Sequence, residues 1–414
     1  MLSEEPKDPG KSSSGWFGGY LRYITIENIL HLFSLGLSPI QAVKHLVYGD
    51  GDPVEEAEEQ FLRSLKNKFY RYEVNVSDCC QIWTLSSIPD SRLGDDLDPT
   101  VSYVVMIHGL LSGLAFWAMN FDDIYESGHE LFAIDLPGFG RSTRIEFNED
   151  DKETEQIFVD MIEHWRQKIG LYNMIMVGHS FGGFISTAYA LRYPQYVKHL
   201  ILVDPWGFPD VREELATVVE SQDPNMIVVP LTNLPVWVRI VFMILMPFSP
   251  FTFLRLSGGY LGPKIINFLR PDMAQRYAHM FGEEDVTTVP NYIYQTNKFN
   301  PTGEMAFRSL SMPLAWAKSP LIKRISTMDP AVQISFVYGS RSWIDFQTGY
   351  EVKDILKDST VNVHVIDEAG HHLFADQPST FNSLICRIIE GEHESSHIMT
   401  DSGSLTIKDL TLTI

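Results

Sequence analysis

The sequence predicts an α/β fold in which a mostly parallel central sheet carries helices on both faces and is interrupted by an inserted helical cap. Three observations predict it. From Val101 onward short apolar runs alternate with amphipathic stretches: VSYVVMIHG, ELFAIDLPG, a helix from roughly Glu153 to Ile169, NMIMVGHS, a helix from Gly182 to about Tyr193, and HLILVDP. Apolar runs of that length between helices mark parallel strands covered on both faces. The order resumes with QISFVYG, a helix near Val352 to Leu356, VNVHVIDEAG and a final helix from about Ser379 to Glu390. Between the two blocks, residues 205–330 break the rhythm and read as the cap.

Upstream of the core, residues 1–15 (MLSEEPKDPGKSSSG) have the composition of a disordered tail. Residues 16–68 form an aromatic arm followed by an acidic helix. In the arm, Ile26, Ile29, Leu30 and Phe33 recur at helical spacing, and Ser38-Pro39 reads as an N-cap with its first turn. The stretch Asp52 to Phe69 places acids early and bases late, as the helix dipole favours. Period-two alternation over Tyr70, Tyr72, Val74 and Val76, then CQIWTLSSI, reads as an antiparallel strand pair. The core is expected over residues 69–204 and 331–390, the cap over 205–330, and a C-terminal tail over 391–414.

The cap contains LPVWVRIVFMILMPFSPFTFL, the most apolar part of the chain. Pro235 and Pro247 bound about a dozen residues, roughly 18 Å as a helix and short of the ~30 Å hydrocarbon core. It reads as a cap helix that lines an acyl pocket or dips into one leaflet, with an ordinary buried helix as the alternative.

A formal net charge of -21 and the lack of a basic run interleaved with aromatics argue against nucleic-acid binding and against docking on anionic lipid by charge alone. Cys79, Cys80 and Cys386 suggest no disulfide framework. The acidic, proline- and serine-bearing start lacks the pattern of a secretory signal, which places the chain in the cytoplasm as the simplest expectation. No C-x-x-C pair, H-E-x-x-H or glycine-rich phosphate loop suggests a metal or nucleotide cofactor.

The chemistry centres on Gly178-His179-Ser180-Phe181-Gly182, at the junction of the apolar run Ile175-Met176-Val177 with a helix. A G-x-S-x-G at a strand-to-helix turn exposes a strained serine, and the small residues two before and two after it let strand and helix approach closely. A serine hydroxyl needs a base, and the base needs an acid, in the order serine, acid, histidine. His371 follows VNVHVID and Asp345 follows QISFVYG, both at the carboxyl edge of the sheet. His372 competes for the base, and Asp367 and Asp329 for the acid. The amides of Leu110, in His108-Gly109-Leu110-Leu111 after VVMI, and of Phe181 are the candidate oxyanion donors. Asp135 to Gly140 reads as a structural turn. His371 and Asp376 also spell H-x-x-x-x-D, a spacing found in glycerolipid acyltransferases, against which stands Asp376 as a cap of the last helix.

These residues resemble the α/β-hydrolase fold. GHSFGGF, HLILVDPWGFP, LPVWVRI, YGSRSWID and AGHHLFADQP are similar to the subfamily of α/β-hydrolase-domain-containing proteins four and five over roughly residues 60 to 390. In this fold the residue after Ala369-Gly370 is the usual catalytic position, which favours His371. The resemblance implies a lipase for lysophospholipids and N-acyl phospholipids if the chain follows protein four, which keeps the serine. It implies a lipid-droplet co-activator of a triacylglycerol lipase, with a lysophosphatidate acyltransferase activity, if it follows protein five, which has asparagine there. Ser180 follows the first. Its expected surroundings are an acyl-lipid substrate and a membrane or lipid-droplet surface, to which the arm from Trp16 to Val47 would attach, with packing of that arm against the protein's own cap as the alternative.

Overall fold

The computed structural model describes residues 52–94, 97–210, 251–312 and 316–391, together with the backbone of 396–401 and 404–408. The tail 1–15, the arm 16–47 and the apolar stretch between Pro235 and Pro247 lie outside the described residues. The chain divides into two units, Met1–Glu56 and Ala57–Ile414. In the first, residues 52–56 begin the helix Pro53–Leu62.

The second unit is built on a ten-stranded sheet of order β1-β2-β4-β3-β5-β6-β7-β8-β9-β10. The strands are β1 (Tyr70–Ser77), β2 (Cys80–Ser86), β3 (Tyr103–Ile107), β4 (Leu131–Ile134), β5 (Met174–His179), β6 (Val197–Val203), β7 (Gln333–Gly339), β8 (Val361–Ile366), β9 (Ser396–Asp401) and β10 (Ser404–Lys408). The run from β4 through β3, β5, β6, β7 and β8 to β9 is parallel. β1 and β2 form an antiparallel hairpin joined antiparallel to β4, and β10 pairs antiparallel with β9. Part of the expected C-terminal tail is thus an edge of the sheet.

Successive side chains of a strand point to opposite faces, and here both faces are buried. Val105, Ile107, Met174 and Met176 join one hydrophobic cluster with Phe158, Ile162 and Trp165 of the helix Asp151–Ile169 and Phe184 and Ile185 of the helix Phe181–Arg192. Val104, Met106, Ile175 and Val177 join another with Phe121 and Ile124 of the helix Phe121–Glu126 and Phe381, Leu384 and Ile388 of the helix Pro378–Glu390. The Asp151–Ile169 helix starts where Asp150 accepts from the amides of Lys152 and Glu153, and ends at Gly170 in the left-handed region.

Between β6 and β7, residues 251–310 are helical for most of their length. They are tied to the loop after β3 by three hydrogen bonds: Tyr277 to the Phe116 carbonyl (2.7 Å), the Ala115 amide to the Tyr292 hydroxyl (3.3 Å) and Asn297 to the Leu111 carbonyl (2.8 Å). Among the described residues no helix is long and apolar enough to cross a membrane.

Glu58 is a buried carboxylate outside the sheet. It accepts from the Trp83 indole at 3.1 Å, with the guanidinium groups of Arg71 and Arg141 at 3.4 and 3.5 Å. Burial, and then the neighbouring Asp135 carboxylate, raise its pKa to about 7 against those two arginines. The folded chain therefore holds this proton at pH values where the unfolded chain, near the ordinary 4.5, has lost it. Its contribution to stability is full below the unfolded value and is lost as pH rises through about 7. Glu58→Gln, which keeps an acceptor for Trp83, is expected to flatten the fall in Tm across that window. An unchanged slope in thermal melts would refute it.

Candidate active site

The site is assembled from four strand-end turns. β5 runs parallel to β6 in a register that pairs His179 with Val203, so the residues that follow, Ser180 and Asp204, leave the sheet side by side. Both have positive φ, 52° and 46°. Among the described residues only two other non-glycine positions do, Leu111 after β3 and Glu368 after β8. Such backbone costs on the order of 1–3 kcal/mol per residue and persists where surrounding structure over-determines it.

That structure is visible around Ser180. Its amide donates to the Val203 carbonyl at 3.0 Å, and its own carbonyl accepts from the Trp206 amide at 3.1 Å. A Cβ on Gly178 would lie 2.6 Å from the Ser186 hydroxyl, and one on Gly182 would lie 2.5 Å from the carbonyl oxygens of Ile107 and His108. These two positions take glycine because strand and helix meet there, as the G-x-S-x-G spacing predicts.

His371 lies on the turn after β8. Its Nε2 is 3.0 Å from Ser180 Oγ and its Nδ1 is 2.6 Å from Asp204 Oδ2. Asp204 is fully buried and also accepts from the Ser342 hydroxyl. Burial pushes its pKa up, while the hydrogen bond from His371, the charge of His371 and the Ser342 hydroxyl pull it down. With the carboxylate fixing the proton on Nδ1, Nε2 is free to accept the serine proton.

The carboxylate that reaches His371 is therefore Asp204, which corrects the expectation of Asp345. Asp345 stands six residues beyond the end of β7, exposed, with Oδ1 accepting from the Gln347 amide at 2.9 Å at the start of the helix Gln347–Ile355. Asp204 follows the strand next to the one that carries the serine. The order serine, acid, histidine holds for either aspartate and cannot separate them; the signal for Asp204 was its place directly after the apolar run HLILV. Asp329, one of the two rivals for the acid, accepts from the Ala331 amide in the turn before β7.

The hydrogen bond to the serine belongs to His371, while His372 packs 5.3 Å from His179 and 5.9 Å from Phe374 between ring centroids. Burial, then the nearby charges, hold it well below the usual histidine range. Asp376 does not cap the last helix, whose N-cap is Gln377. Its carboxylate accepts from the Gly370 amide at 2.8 Å and pairs with Arg276 of the helix Pro271–Arg276.

Two further histidines have roles that no sequence pattern marks. His108 Nε2 accepts from the Leu136 amide at 3.0 Å, so its Nδ1 carries the proton and donates to the Gly109 carbonyl at 2.7 Å. The Ser112 hydroxyl donates to the same oxygen at 3.0 Å. In a trans peptide the C=O and N–H point in opposite directions, so fixing the Gly109 carbonyl aims the Leu110 N–H the other way. A Cβ on Gly109 would be 3.3 Å from Ser180 Cβ, which puts this peptide beside the serine. Phe181 opens the helix Phe181–Arg192, where an amide has no intrahelical acceptor. Asp135 accepts from the amides of Leu114 and Arg141, both at 2.7 Å, and so joins the loops after β3 and β4.

His179 is the second. Burial, followed by the charge of His371, holds it well below the usual range, so it is neutral. Its Nε2 lies 2.9 Å from the His371 carbonyl, and its ring stands 4.7 Å from that of His371. Its Nδ1 closes on Gly109. One uncharged ring thus wedges the two loops on either side of Ser180. His179→Phe is expected to lower turnover roughly a hundred-fold by loosening that placement, with His179→Gln, which can still donate to the carbonyl, recovering most of it. Equal steady-state rates for the two variants would exclude the role.

On the solvent side the Trp343 ring, 67% exposed, lies 5.3 Å from the His371 ring. Ser180 itself is 7% exposed.

Residues 103–227 match a family model described as alpha/beta hydrolase fold. Human 1-acylglycerol-3-phosphate O-acyltransferase ABHD5 is 38% identical over 337 residues, 81% of this chain and 89% of that protein. The (lyso)-N-acylphosphatidylethanolamine lipase of Bos taurus is 37% identical over 337 residues, 81% of this chain and 91% of its own. Among solved structures, a putative lipase (lip1) from Acinetobacter baumannii superposes with a TM-score of 0.53 at 15% identity, covering 81% of this chain and 95% of that one, and supports the fold alone.

Proposed function

Since this chain belongs to the α/β-hydrolase fold family, in the group that includes ABHD5 and the (lyso)-N-acylphosphatidylethanolamine lipases, we propose that it is a serine hydrolase of acyl lipids. One observation carries the reading: an unbroken relay from Ser180 Oγ through His371 to the buried Asp204, with steps of 3.0 and 2.6 Å. Ser180 attacks the ester or amide carbonyl as His371 takes its proton, Asp204 holds the imidazolium that forms, and the oxygen that gains charge accepts from the amides of Leu110 and Phe181. His371 then protonates the leaving alcohol or amine, and water, activated by the same imidazole, releases the fatty acid.

The acyl-enzyme on Ser180 also admits a second reading, favoured by the acyltransferase name of the ABHD5 relatives: the hydroxyl of a lysophosphatidate takes the place of water. That route runs through Ser180. A separate His371–Asp376 centre finds no support in Asp376, whose oxygens are taken by Gly370 and Arg276.

The test is fluorophosphonate labelling of the purified chain, paired with fatty-acid release from N-acyl phospholipids, lysophospholipids and acylglycerols. Labelling at Ser180 with release from at least one class is expected. An unlabelled Ser180 together with stimulation of an added triacylglycerol lipase would favour the co-activator instead, and phosphatidate formed from acyl-CoA and lysophosphatidate would favour transfer.

A further inference from the structure

Large apolar side chains left in water concentrate on one part of the cap. Leu256, Tyr260, Leu261, Ile265, Phe268 and Leu269 are all exposed, Leu256 by 79% and Phe268 by 84%. On the helix Gly258–Leu269 the inward side is Gly262 and Ile266, one turn apart and buried. Gly262 packs so closely that a Cβ would lie 2.1 Å from the Tyr294 ring. With that side turned in, Tyr260, Leu261, Lys264, Ile265 and Phe268 share the outward face, at the one-, three- and four-residue spacings of neighbours on a helix.

The chemistry of this face narrows its occupant. The Lys264 ammonium sits 3.8 Å from the Tyr260 ring centroid, an aromatic with a polar tip beside a cation on an aliphatic stem. Such side chains span the boundary between hydrocarbon and water. From Thr252 to Pro271 there is no aspartate or glutamate, in a chain with 53 acids and a net charge of -21. The two flanking cations are already paired, Arg255 with Glu304 and Arg270 with Asp272, which leaves Lys264 as the charge the face presents. An apolar helix face with a cation and a tyrosine and no acid suits headgroup phosphates above acyl chains.

We propose that the outward face of the helix Gly258–Leu269 seats on a phospholipid surface, inserting Leu261, Ile265 and Phe268 while Lys264 meets the phosphates. The inference deepens the acyl-lipid reading and rests on it for its purpose, because it says which side of the cap meets the substrate's surface. Its test does not need catalysis. Full-length Ser180→Ala chain is floated with phosphatidylcholine vesicles containing phosphatidylserine, alone and with Leu261→Glu plus Phe268→Glu. The pair of carboxylates is expected to cut the bound fraction about ten-fold, with Tm unchanged, whereas Tyr172→Glu, at a tyrosine 54% exposed on the loop before β5, leaves binding as it was. Undiminished flotation of the double variant overturns the proposal, whatever the enzyme's activity. So does a lipid-free dimer that the double variant converts to monomer, since the face would then be covered by a second copy.

Discussion

Replacing Ser180 by Ala is expected to lower fatty-acid release by on the order of 10⁶ and to abolish fluorophosphonate labelling. The loss is chemical rather than structural. The hydroxyl's hydrogen bond is to His371 Nε2, whereas the turn is held by backbone bonds to Val203 and Trp206 that alanine preserves. Alanine also meets no more strain at φ 52° than serine does. Thermal melts of the two proteins should therefore overlay within a few degrees while their turnover on the same acyl lipid separates. A variant that hydrolyses at the parental rate would leave Ser180 a turn residue and remove the mechanism with it.

Asp204→Asn is expected to cost about 10⁴ in turnover with the fold intact. Asparagine fills the same space and its oxygen can still accept from the Gly339 amide, but an NH2 in place of Oδ2 donates to the Ser342 hydroxyl and presents N–H to His371 Nδ1, and so favours the tautomer whose Nε2 carries the proton. A ring in that state cannot accept from Ser180. Asp345→Asn supplies the contrast: its carboxylate is exposed and serves the Gln347 amide, so turnover should stay within a few-fold of the parent. Parallel kinetics of the two variants decide the acid directly. If Asp345→Asn were crippled and Asp204→Asn active, the relay through Asp204 would have no catalytic meaning.

Ser180 was legible because it stands in a local pattern with a physical cause, the glycines that a strained strand-to-helix turn requires; a histidine just past a parallel strand was legible in the same way, but the resemblance to the fold was needed to favour His371 over His372. The acid was not legible, since its identity depends on which strand lies next to which. The chain order of β5, β6 and β7 is printed in the sequence, but the register that sets Val203 opposite His179 is a long-range pairing. Asp376 shows the same limit: three residues beyond Leu373 and just before Pro378 it resembles a cap, whereas its carboxylate is taken by Arg276, a hundred residues away.

Alternation of apolar runs with helices, buried on both faces, determined the parallel α/β core, because strand and helix periodicities are local properties that water alone enforces. The aim of the Leu110 amide, the neutral wedge of His179 and the choice of Asp204 were decided only by the tertiary structure. Each depends on a hydrogen bond between groups far apart in the chain, whose partner exists only once the sheet has set its strand order and register.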